Sequence, residues 1–109
     1  MNEIEKLTEE IISFIKERDW ERFHKPKDTA LALSIEASEL NEVFLWKNDK
    51  DANIEKIKEE LADVLIYSLD LARQYHLDVS TIIREKIKKN SEKYPVSKCS
   101  GKATKYTDL

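Results

Sequence analysis

A chain of 109 residues is long enough for one domain and short for two. Charged residues make up 38% and hydrophobic residues 40%, which allows a folded core under a heavily solvated exterior. The formal net charge of −3 gives no general attraction to a nucleic-acid polymer, and no stretch approaches the roughly 20 apolar residues of a membrane span.

One glycine and two prolines are few for a β-rich or loop-rich protein, because turns consume those residues. An all-α domain with short connections is therefore expected, covering residues 1–109. Helix one is read from about Asn2 to Phe23, with Asn2 and Glu5 as a capping box and Ile4, Leu7, Ile11, Phe14 and Ile15 as its apolar stripe. Pro26 is expected to close it. Helix two is capped by Asp28 or Thr29 and extends to about Trp46. Asp51 is the expected cap of helix three, which ends near Tyr75. Asp78 caps helix four, which reaches about Lys93. The tail from Val96 to Leu109 holds the only glycine and several lysines, and reads as extended or partly disordered.

Two carboxylate pairs stand out: Glu36 and Glu39 in EASEL, and Glu60 and Asp63 in EELADVLIY. Residues three apart share a helix face, so two such helices packed face to face would form a four-carboxylate cage suited to Mg2+. A lone ExxE is more often a solvated surface. At about 100° per residue, however, Glu36 lies opposite the polar side formed by Ser34, Ser38, Asn41 and Glu42, among Ala32, Leu33, Leu40 and Val43. It thus falls in the face that should be buried, where a carboxylate needs a partner or a metal.

Helix three reads with Ile54, Ile57, Leu61, Val64, Leu65 and Ala72 as its main stripe and Asp63 on the other side. From Leu61 to Ala72 it is apolar nearly all round, which calls for burial on all faces. A homo-oligomer, dimer or tetramer, follows as an expectation. Trp20, Trp46 and Tyr67 read as core aromatics or as a base-stacking pocket, and His24 as a helix-terminal residue or a substrate contact. The lysines from Lys86 to Lys105 form either a solvated face or a phosphate-binding rim. One cysteine, Cys99, cannot form an internal disulfide and suits a reducing cytoplasm. The acidic MNEIEKLTEE lacks the apolar run of a signal peptide, so a cytoplasmic protein is expected. His76 and Cys99 have no catalytic constellation around them.

The order ERDWERFHKP, LALSIEASELNEVFLWK, EELADVLIYSLDLA, NSEKYP and KYTDL resembles the MazG-like nucleotide pyrophosphohydrolases, and most nearly their dCTP pyrophosphatase branch. The resemblance runs from about Ile11 to Leu109. It implies an all-α four-helix MazG-like bundle that oligomerises through its helices. The implied activity is Mg2+-dependent hydrolysis of a nucleoside triphosphate to monophosphate and pyrophosphate, with Mn2+ as the alternative ion. By resemblance, Glu36, Glu39, Glu60 and Asp63 are the metal ligands, and Trp20, Trp46 and Tyr67 the base pocket with His24 near it. Lys86 and Asn90 match positions that contact the phosphates or sugar. A histidine that some members carry in helix one is Ile11 here, which removes a polar substrate contact and bears on base preference. The rival reading is a helical interaction module with the same fold and no catalysis.

Overall fold

The computed structural model describes residues 1–109 and contains helices and turns with no strand. Four helices exceed seven residues: α1 (Glu3–Glu17), α2 (Pro26–Glu42), α3 (Ile54–Gln74) and α4 (Val79–Lys93), followed by the short α5 (Val96–Cys99). They fall into two compact units, Met1–Leu77 and Asp78–Leu109.

In the first unit, the Asn2 side chain accepts a hydrogen bond from the Glu5 N–H at 2.8 Å, so α1 starts where the capping pattern placed it. It stops six residues earlier than expected. Asp19 adopts a left-handed φ of 53°. The N–H groups of Asp19 and Trp20 bond back to the carbonyls of Lys16 and Ile15, the hydrogen-bond pattern of a Schellman stop. Asp tolerates this region where most residues do not, so the helix ends without a glycine to announce it. Glu21–Phe23 forms a separate 3₁₀ turn.

Pro26 opens α2 instead of closing α1. It occupies the first turn, where its missing N–H is no loss, and Lys25 is the N-cap in place of Asp28 or Thr29. The helix ends at Glu42 because from Val43 onward the backbone N–H groups shift to partners three residues back. Trp46 therefore falls outside the helix, with φ 61°. Asn53 rather than Asp51 caps α3; its side chain accepts from the Glu55 and Lys56 N–H groups at 3.0 and 3.3 Å. A third left-handed residue, His76, stops α3 as expected near Tyr75, with the Leu77 N–H on the Ala72 carbonyl at 2.9 Å.

Both α1 and α2 pack on α3. The Gln74 amide donates to the Thr29 hydroxyl at 2.9 Å, tying the start of α2 to the end of α3 and making the pair an antiparallel hairpin. The orientation of α3 differs from the reading of its stripe. Ile57, Val64 and Ala72 of that stripe are covered, but Ile54, Leu61 and Leu65 are exposed, while Asp70 is buried and Asp63 partly covered. The face turned toward the other helices carries Glu60, Asp63, Tyr67, Asp70 and Gln74, a run at helical spacing. Only Ile15, Val43 and Ala72 are buried apolar residues, and Leu31, Ile35, Leu61 and Leu65 stay open on one chain.

The second unit begins at the Asp78 cap, whose carboxylate accepts from the Thr81 N–H at 3.0 Å and from its hydroxyl at 2.6 Å. Beyond α4, the expected extended tail contains α5 and a 3₁₀ turn at Tyr106–Asp108. Tyr94 and Tyr106 meet edge to face at 6.0 Å, and the Lys93 ammonium sits 4.8 Å over the Tyr106 ring.

Candidate metal centre and adjoining groove

The α2–α3 hairpin brings together Glu36, Glu60 and Asp63, each offering a carboxylate oxygen within 4.8 Å of the others. Glu39, one turn beyond Glu36, lies close enough to both Glu36 and Glu60 to share a hydrogen bond when one carboxyl is protonated. Thus both helical pairs face a common point.

Two of these carboxyls, Glu36 and Glu60, resist ionisation because they sit in a partly dry site beside other acids. The Glu36 carboxyl is pushed up to about 7, first by burial, then by its hydrogen bond with and repulsion from Glu39, and further by Asp63 and Glu60. Glu60 is raised as well, by burial first and then by Glu39. The Oε2 atoms of both Glu36 and Glu60 are buried without a hydrogen-bond partner. Buried charged oxygens without partners are costly; a hard divalent cation with oxygen preference would relieve both the desolvation and the repulsion. The donor set therefore fits Mg2+ or Mn2+.

Beside this cluster, α1 and α3 bound an open groove of about 510 Å³ with mainly apolar walls that include Ile11, Phe14, Trp20, Ile66, Tyr67 and His24. Asp63 lines it too, so cluster and groove share an edge. Trp20 meets Phe14 edge to face at 5.8 Å. His24 stacks on Tyr67, with ring centroids 6.1 Å apart and planes 9° from parallel. Burial, followed by the charges of Glu36, Asp63, Asp70 and Glu39, raises the Tyr67 hydroxyl, which stays a hydrogen-bond donor.

Of the residues singled out in the sequence, Glu36, Glu60 and Asp63 gather at one point with Glu39 beside them, exposed, and Trp20, His24 and Tyr67 gather in the groove. Trp46 does not join them; it is 99% exposed on the turn after α2. Lys86 and Asn90 are exposed on α4 in the second unit. Sequence reasoning missed Asp70 and Arg73. Asp70 is 1% exposed and accepts from His24 Nδ1 on one oxygen and from Arg73 Nε on the other, each at 2.7 Å. The available signal was its place on the polar stripe of α3, seven residues after Asp63.

The model of the MazG-like family matches residues 31–109, and the chain belongs to that family. It is 42% identical over 104 residues to dCTP pyrophosphatase 1 of Rattus norvegicus and 38% identical over the same length to that of Homo sapiens. Each alignment covers 88% of this chain and 61% of the relative, so the chain spans about three fifths of these proteins' length. A solved pyrophosphatase from Archaeoglobus fulgidus is similar at a TM-score of 0.77 and 34% identity, over 87% of this chain and 94% of that one.

Proposed function

We propose that this protein is a Mg2+-dependent nucleoside triphosphate pyrophosphohydrolase. It takes dCTP or a modified pyrimidine deoxynucleoside triphosphate to the monophosphate and pyrophosphate, and so cleans or balances the nucleotide pool. The observation that carries this reading is the convergence of carboxylates from α2 and α3, two of them with partnerless buried oxygens, at the edge of an aromatic groove. The MazG-like family and the dCTP pyrophosphatase relatives support the same chemistry.

Glu36, Glu39, Glu60 and Asp63 are the proposed metal ligands. A divalent cation there supplies positive charge against the triphosphate and helps activate the attacking water. The chain's own task is to hold the nucleotide in line and to take the water's proton, onto one of these carboxylates or onto neighbouring Glu59. Trp20, Tyr67 and His24 receive the base. Trp46, exposed on a single chain, contributes when a second copy completes the site, and Lys86 and Asn90 contact phosphate or sugar.

The open apolar residues on α2 and α3 support a homo-oligomer; residues 1–109 are proposed to act as one functional domain. No helix is long and apolar enough to cross a membrane; the proposed site of action is the cytoplasm. The test is pyrophosphate release from a panel of canonical and modified nucleoside triphosphates, with Mg2+, with Mn2+ and with EDTA. Metal-dependent release, strongest for one pyrimidine deoxynucleotide, is the expected result. Release in EDTA would overturn the metal role, and no release from any of them would favour a non-catalytic helical module.

A further inference from the structure

Asp70 has no part in the carboxylate cluster, yet it is the most deeply buried charged group of the first unit. Its charge is balanced by Arg73, on the same helix one turn away, through Oδ1. That pair alone would meet the electrostatic need. The second oxygen, Oδ2, is committed instead to His24, which lies 46 residues away in sequence on the wall of the groove.

A carboxylate accepts hydrogen bonds and donates none, so His24 Nδ1 must carry the hydrogen in this contact. In the uncharged imidazole the other nitrogen, Nε2, is then a lone-pair acceptor. Nε2 has no partner within the chain, and the Tyr67 ring parallel to the imidazole fixes the plane in which its lone pair lies. Arg73 reinforces the arrangement by holding the Asp70 side chain in place through Oδ1. Asp70 stands two helical turns beyond Asp63, about 10 Å along α3, so a nucleotide with its phosphates at the carboxylates would carry its base toward His24.

We propose that Asp70 and Arg73 are positioning residues that hold His24 as the Nδ1–H tautomer. His24 Nε2 then selects a nucleobase presenting an amino group over one presenting a carbonyl at the same place. Cytosine offers an N4 amino donor where the uracil-type ring offers the O4 acceptor. An acceptor facing O4 would leave both oxygen and nitrogen unpaired, and sites built to pair a donor discriminate strongly on that ground. This inference rests on reading the groove as the base site.

The experiment compares kcat/KM for dCTP and dUTP in the wild type, in Asp70→Asn and in His24→Phe, together with ¹⁵N NMR of the histidines. Only His24 and His76 need to be resolved. An amide in place of the carboxylate can donate to Nδ1 and reverse the tautomer. The expected result is a wild-type Nε2 in the unprotonated range and a protonated Nε2 in Asp70→Asn. The preference for dCTP should fall by about tenfold in both variants, mainly through KM for dCTP. His24→Phe keeps an aromatic ring for Tyr67 and gives an answer should Asp70→Asn fold poorly. Equal losses on both nucleotides, unchanged selectivity, or a protonated Nε2 in the wild type would overturn the inference. A wild type that releases no pyrophosphate from any nucleotide overturns the functional reading itself, and base selection falls with it; unselective variants of an active wild type are the outcome that this inference alone predicts.

Discussion

Replacing Glu36 by Gln removes one charge from the centre of the carboxylate cluster while keeping its shape. In the folded protein this carboxyl is raised from 4.5 to about 7, with burial the largest cause and Glu39 the next. Between those two values the folded chain keeps a proton that the unfolded chain has lost, so stability falls as pH rises through the window and levels off above it. At about 1.4 kcal/mol for each pH unit, the window amounts to about 3 kcal/mol. Contact with solvent reduces that to about 1–2 kcal/mol. Glu36→Gln escapes the penalty, so in EDTA at pH 8 it should melt about 4–9 °C above the wild type. At pH 4.5 the two should melt together. Circular-dichroism melts at both pH values read this directly. A variant that melts with or below the wild type at pH 8 would refute the view that repulsion and desolvation at Glu36 strain the metal-free fold.

Saturating Mg2+ should reverse that order by stabilising the wild type, by about 2.7 kcal/mol at a hundred times Kd, and Glu36→Gln much less; calorimetry with the ion alone checks it. Glu36→Ala should abolish metal-dependent pyrophosphate release, measured by a coupled phosphate assay, and surviving turnover would remove Glu36 from the centre. Thr29→Val leaves the Gln74 amide, whose Oε1 already lacks a partner, without its acceptor; a loss of about 1–3 kcal/mol in urea unfolding is expected. Asn53→Ala deletes the α3 cap and should cost about 1 kcal/mol by the same assay.

The four acids were legible because their spacing is local and the helix turns a pair onto one face. Glu36 could be placed inward because its neighbours on α2 are apolar. The orientation of α3 was not legible from its apolar stripe. That helix turns Glu60, Asp63, Tyr67 and Asp70 inward, and of the apolar stripe it covers Ile57, Val64 and Ala72 but leaves Ile54, Leu61 and Leu65 outward, so hydrophobic periodicity accounts for only part of its placement in a single chain. The early stop of α1 escaped because Asp19 takes a conformation that usually advertises itself as glycine. Pro26 fits either side of a helix boundary, and only the backbone shows which. The tie between His24 and Asp70 spans the chain and leaves no local pattern at all.

The hairpin of α2 and α3 also divides this region into places where the chain can change length and places where it cannot. One residue inserted between Glu60 and Asp63 would turn everything beyond it by about 100°, swinging the later half of the polar stripe away from α2. The stretch from Lys47 to Ala52, all polar turn apart from its last residue, carries no group of the cluster or the groove, and extra residues there cost little closure entropy. Variation in length across related sequences should therefore collect in that turn, with the distance in sequence from Glu60 to Asp70 held constant.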